Sequence, residues 1–135
     1  MREIDAVSRV VDANVNRFRD GLRVIEDTLR FARGNRLYAP VRRLRGDFAR
    51  LFAGRRGMLV ASRASDKDPG RASGQKKHAD IDELFRANFA RCSEALRVLE
   101  EYARLRGANL PSTAELKKIR FRLYGIEKKS LSAKK

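Results

Sequence analysis

Three observations predict an all-α fold, a four-helix bundle built from two pseudo-symmetric αα-hairpins joined by a long Gly/Arg-rich loop. One stretch occurs twice: "DANVNRFRDGLRVIEDTLRFAR" from Asp12 to Arg33 aligns without a gap on "RANFARCSEALRVLEEYARLRG" from Arg86 to Gly107. Within each copy the apolar residues recur at alternating spacings of four and three, the period of a helix packed on one side. Each copy is followed by a break and a second, shorter amphipathic segment. A single αα-hairpin cannot bury its own apolar stripe, whereas two can cover each other.

The elements follow in order. The first long helix carries Val11, Val15, Phe18, Leu22, Ile25 and Leu29 on one face. Gly34 and Pro40 then mark a break, and "VRRLRGDFARLF" presents Val41, Leu44, Phe48 and Leu51. A connection over about residues 53–80 is rich in Gly, Ser, Arg and Lys; within it "MLVA" suits a short extended piece. So long a connection in a small domain is either functional or a flexible linker. The second long helix opens at "DIDE", an N-cap with a carboxylate three residues on, and repeats the stripe as Phe85, Phe89, Cys92, Leu96, Leu99 and Ala103. Cys92 is therefore a core residue. After Gly107 and Pro111, "STAE" is a capping box, and Leu116, Ile119, Leu123 and Ile126 form the last stripe. The expected domain spans residues 1–127, and "KKSLSAKK" over 128–135 is expected to be a basic tail.

Composition narrows the function. The formal charge of +15 favours anionic partners, whether nucleic acid, phosphorylated small molecules or an acidic surface. No apolar run is long enough for a membrane span and no leader pattern opens the chain, so the expectation is a soluble cytoplasmic protein with no membrane partner. One cysteine rules out an internal disulfide and a cysteine-rich zinc site. The single histidine, His78, lies in a polar run and is expected at the surface.

Packing explains the repeated leucines but not the repeated polar residues. At about 100° per residue from Val11, Asn14 and Gly21 lie on one flank of the core with Arg17 slightly further round, and Glu26 lies on the other. The second copy sets Asn88, Arg91 and Ala95 on the first flank and Glu100 on the second; Arg45 and Arg120 border the cores of the shorter helices. An amide offers donor and acceptor together, as a heterocycle edge requires, and a guanidinium grips phosphate with two parallel bonds. Gly21 and Ala95 would leave room beside the amides. The set reads either as a rim site for a small anion or as interhelical ion pairs of Glu26 and Glu100 with Arg45 and Arg120. P-loop, zincin, di-iron and G-x-S-x-G signatures are missing, so an enzyme here would work by positioning and charge neutralisation.

Four motifs in order, "DANVNRFRDGLRVIED", "SRASDKDPG", "RANFARCSEALRVLEEYARL" and "IRFRLYGIE", resemble the small domain found alone or fused in front of thiamine-phosphate synthase, a family of hydroxymethylpyrimidine-phosphate kinases. The resemblance runs from about Val10 to Glu127. Ala64 stands where those relatives carry an acidic residue, and Arg71 where they often carry a small residue or threonine. It implies an ATP- and magnesium-dependent phosphotransferase that converts 4-amino-5-hydroxymethyl-2-methylpyrimidine phosphate to its diphosphate. It also implies thiamine-phosphate synthase as a partner. On this basis Asn14 and Asn88 are expected to read the pyrimidine, and Arg17, Arg91, Arg45 and Arg120 to hold phosphates. Glu26 and Glu100 would orient those arginines or approach the metal. Arg63, Asp68 and Gly70 would form a loop over the nucleotide phosphates, and Tyr124 would stack on a ring. Two other readings compete, a basic helical module on nucleic acid and a helical enzyme like the all-α chorismate mutases. The first gains from the charge but has few aromatic stacking platforms, and the second gives the Gly/Asp loop no role. The sequence leaves the oligomeric state between monomer and homodimer.

Overall fold

The computed structural model describes residues 2–72 and 74–132. Helix α1 runs Glu3–Asp27 and continues into one π-helical turn, Thr28–Ala32. Gly34, at φ 55°, closes it, a left-handed position that glycine occupies without steric cost. The Asn35 side chain then accepts from the Leu37 amide at 2.8 Å, and α2 follows as Tyr38–Phe52. Pro40 lies inside the first turn of α2 rather than before it, where its missing N–H costs nothing. A 3-10 turn leads into α3, Arg56–Ala61. The long α4, Ile81–Ala103, is capped by Asp80, which accepts from the Glu83 amide at 2.8 Å. Gly107 at φ 73° repeats the stop seen at Gly34. Helix α5, Thr113–Ser132, opens on the expected capping box: Ser112 Oγ accepts from the Glu115 amide at 3.1 Å, and Glu115 from the Ser112 amide at 3.0 Å.

The helices pack in two layers. In one, α1 lies against α4; in the other, α2 covers α1, α5 covers α4, and α2 meets α5. The long pair is antiparallel: Arg33 near the end of the first hairpin's long helix reaches Asp82 at the start of α4 (3.5 Å), while Val7 and Tyr102 share a hollow at the opposite end. Phe18 and Cys92, equivalent positions in the repeat, face each other directly, with the Cys92 thiol 3.5 Å from the Phe18 carbonyl oxygen. The pseudo-two-fold passes between them. The core is the stripe predicted from periodicity, with Phe18, Phe48, Phe85, Phe89, Leu22, Leu96 and Leu99 fully buried. Each such side chain contributes about 1.5–3 kcal/mol by leaving water.

Two segments differ from expectation. No strand forms among the described residues; "MLVA" belongs to α3, with Leu59 buried and Met58 and Val60 exposed. An isolated extended piece would leave its backbone donors and acceptors without partners, whereas a helical turn pairs them internally. The expected basic tail is helical as far as Ser132, so no break follows residue 127. Ile126 and Ser130, four residues apart, are both buried, and Leu131 packs on the core. Residues 133–135 of that tail lie outside the described residues.

A candidate phosphate-binding hollow

The N-terminal half of α1 and the segment after α3 enclose a hollow of about 690 Å³, within the usual range of small-molecule sites. Arg9, Asn14 and Arg17 line it from α1, and Arg63, Lys67 and Asp68 from the loop. Asp12 fixes the loop to the helix. Asp12 is 5% exposed, and its carboxylate receives both arms of Arg63, Nε at 2.7 Å and Nη2 at 3.0 Å. The pair spans 51 residues of chain. Asp12 also raises the Arg63 pKa, so the guanidinium stays charged throughout. The 3-10 turn Ser65–Lys67 then directs Lys67 and Asp68 into the hollow. Asp68 Oδ1 accepts from the Gly70 amide at 2.8 Å, and Asp68 lines the cavity. Four cations surround this space against two carboxylates, one of which is committed to Arg63. Such a balance suits a phosphate-bearing ligand.

The sequence-predicted residues divide among several places. Asn14, Arg17, Arg63 and Asp68 come together here, with Gly70 supporting Asp68 from outside the wall. Asn14 is nearly buried; its amide donates to the Val10 carbonyl at 2.8 Å and its oxygen accepts from Arg17 at 3.4 Å. Asn88 repeats the first bond, donating to Leu84 at 2.8 Å, but neither Asn88 nor Arg91 lines this hollow. The space expected beside the amides is filled by protein. A methyl placed on Gly21 would meet the Cys92 sulfur at 2.6 Å, so the glycine serves the close approach of α1 and α4 and not a ligand.

The two glutamates form the ion pairs that were the other reading of the pattern. Glu26, 1% exposed, accepts from Arg45 at 3.0 Å and Arg42 at 3.2 Å. Glu100 accepts from Arg120 at 2.6 and 3.1 Å. Both lie towards the α2/α5 layer, away from the loop. The Tyr124 hydroxyl is hydrogen-bonded with Ser93 at 3.2 Å and accepts from Arg120 at 3.3 Å, contacts that lower its pKa. A second hollow of about 510 Å³, on the α4–α5 side, is lined by Arg97, Glu100, Arg104, Lys117 and Arg120. Sequence reasoning missed Asp12, Arg9 and Lys67. Asp12 carried one signal, a carboxylate directly beside core residue Val11, but its repeat mate is Arg86, so a search for repeated residues passed over it.

Among the described residues no group of three or more His, Cys, Asp or Glu side chains is placed to hold a metal ion. No helix is long and apolar enough to cross a membrane among those residues. Residues 9–129 match the ThiD2 family. Similar proteins include the thiamine-phosphate synthases of Thermosynechococcus vestitus (42% identical over 123 residues, 88% of this chain and 34% of the relative) and Gloeobacter violaceus (39% over 132 residues, 93% and 36%). That of Synechocystis sp. is 38% identical over 133 residues, 96% of this chain and 37% of the relative. The chain thus spans about a third of the length of these relatives. No solved structure matches it.

Proposed function

Because the chain belongs to the ThiD2 family, we propose that it transfers the γ-phosphoryl group of ATP to 4-amino-5-hydroxymethyl-2-methylpyrimidine phosphate, giving the diphosphate and ADP. Membership places it in thiamine biosynthesis, and a domain that matches a third of proteins named thiamine-phosphate synthase fits a step feeding that reaction. The observation that carries the reading is the hollow between α1 and the loop, where Arg17, Arg63 and Lys67 converge from distant parts of the chain around Asn14 and Asp68.

The chemistry asks little of a general base. The attacking atom is an oxygen of the substrate phosphate, mostly ionised near neutral pH because its second pKa is about 6. The obstacle is repulsion between two polyanions that must lie in line. In this reading Arg17 and Arg63 hold phosphate oxygens and cancel that repulsion, and Asp12 keeps Arg63 at a fixed angle. Lys67 and Arg9 add positive field. Asp68 has carboxylate capacity beyond its bond to Gly70, which fits a magnesium ion held by one carboxylate and mainly by phosphates. Such an ion, when bound, would neutralise charge on the bridging phosphates. Glu26 and Glu100 act as structural partners of arginines.

Purified protein, the pyrimidine monophosphate and magnesium ATP give the test, with diphosphate followed by phosphorus NMR. Arg17→Ala and Arg63→Ala should each cut turnover by about 100-fold. Arg91→Ala, outside the hollow, should stay near wild type. The free hydroxymethyl alcohol should be a poor substrate, since it lacks the phosphate the arginines grip. No diphosphate from folded protein, or equal rates on alcohol and phosphate, would refute the proposal.

A further inference from the structure

The hollow does not end at its cationic wall. Ala6 and Val10, one turn apart on α1, also line a neighbouring hollow of about 350 Å³ that reaches across to the C-terminal end of α4. Its character is opposite. Val7, Tyr102 and Leu105 make it largely apolar, and its charged residues are Glu3 and Glu101. The two spaces adjoin along Ala6 and Val10, with cations on one side and an aromatic, apolar surface edged by carboxylates on the other, and together they read as a polarised groove. The second half of the repeat does not reproduce it. Tyr102 corresponds to Thr28, whose hydroxyl is turned back to the Val24 carbonyl at 2.7 Å, and Asp12 corresponds to Arg86.

We propose that this second hollow is the ring subsite: a phosphorylated ligand bearing an amino-substituted pyrimidine ring lies along the groove, its phosphate among Arg17 and Arg63, its ring against Tyr102, and its exocyclic amine donating to Glu101. The inference rests on the phosphate reading of the first hollow and adds the residues that select what the phosphate is attached to. The chemistry of the walls carries it. A flat ring gains from an aromatic side chain and apolar neighbours. An amine's N–H groups need acceptors, and Glu101 is an acceptor-only carboxylate at the rim. Its present partner is Arg104 at 3.1 Å, an exposed pair three residues apart that a ligand can displace at little cost. Two molecules of the proposed reaction carry such a ring, the pyrimidine substrate and the adenine nucleotide.

Calorimetric binding separates them without requiring turnover. The probes are the pyrimidine monophosphate, magnesium ATP and inorganic phosphate. The variants are Tyr102→Leu, which keeps apolar bulk where Tyr102 packs on the core, and Glu101→Gln. Melting curves confirm folding. Both variants should weaken one ring-bearing probe by about 10-fold and leave inorganic phosphate unchanged. Which probe weakens identifies the ring. Unchanged affinity for both ring-bearing probes, or equal weakening of inorganic phosphate, overturns the assignment. If the ring-bearing probe binds as described but no diphosphate forms, the subsite stands and the kinase reading fails. If diphosphate forms at wild-type affinity in both variants, the reverse holds.

Discussion

The close approach of α1 and α4 at Gly21 sets a demanding test. Gly21 of α1 faces α4 so tightly that an added Cβ would sit 2.6 Å from the Cys92 sulfur and 3.4 Å from the Asn88 carbonyl oxygen. Ordinary carbon contacts are about 3.5–4.0 Å, so Gly21→Ala demands a local separation of about 1 Å. The sulfur cannot simply swing aside, because Cys92 is fully buried and held near the Phe18 carbonyl. Overpacking of this kind costs about 1–3 kcal/mol. Replacing glycine by alanine within a helix returns about 1 kcal/mol. The net expectation is a loss of about 1 kcal/mol, or a melting temperature lower by about 3–5 °C for a chain of this size. In a Cys92→Ala background the obstructing atom is gone and only the helix-propensity gain remains, so the same substitution should there be stabilising. Thermal melts of the four proteins in this cycle give the coupling, expected at about 2 kcal/mol. A Gly21→Ala protein as stable as wild type, or a change of the same sign in both backgrounds, would refute the described packing.

Other outcomes follow from the ion pairs, the thiol and the loop. Glu26→Gln and Glu100→Gln should each lower stability by about 1–3 kcal/mol, since a buried hydrogen-bonded partner is left mismatched, with activity per folded molecule largely retained; loss of activity without loss of stability would contradict their structural role. Burial pushes the Cys92 thiol from its ordinary 9.0 up to about 12. The native state therefore keeps a proton that the unfolded chain releases above about pH 9, and stability falls as pH rises from there towards 12. Melting temperatures between pH 8 and 11 should decline more steeply for wild type than for Cys92→Ala, and the native thiol should resist aromatic disulfide reagents. Saturating magnesium ATP should slow tryptic cleavage at Arg63 and Arg71 if the loop lies over bound phosphate; an unchanged digestion pattern would assign the segment to a plain connection.

Periodicity and repetition were enough to place the four main helices, the caps of α4 and α5, and the pairing of the long helices, because those features are local or recur at a fixed offset. The Glu26–Arg45 and Glu100–Arg120 pairs were equally visible, since both partners repeat. The candidate hollow was legible only in part. Asn14 and Arg17 stood out through their repeat mates, yet the bond that completes the hollow, Asp12 to Arg63, joins residues 51 apart and exists in one half alone. No local pattern encodes it. Helix α3 was obscured for a different reason: four apolar residues in a row suit a strand or a helical turn equally, and the absence of a partner strand decides between them. The last turn of α5 was obscured by Ser130, a small polar residue that occupies a core position its composition does not advertise.

The meeting of Phe18 with Cys92 bears on how such a bundle uses its duplication. In a symmetric dimer of identical hairpins, any residue on the two-fold axis meets its own copy. One side chain must then suit both sides, and two phenyl rings or two thiols would fill this point too fully or too loosely. A continuous chain is free of that constraint and sets the backbone of a phenylalanine against a small thiol. The same freedom extends outward: Asp12 binds the loop while its counterpart Arg86 pairs with Asp82 on its own helix. A covalent connection also has a single location, so it can lie over one half only. Two equal hairpins in a dimer would present the Asp12–loop arrangement twice, whereas the joined chain holds it on one half.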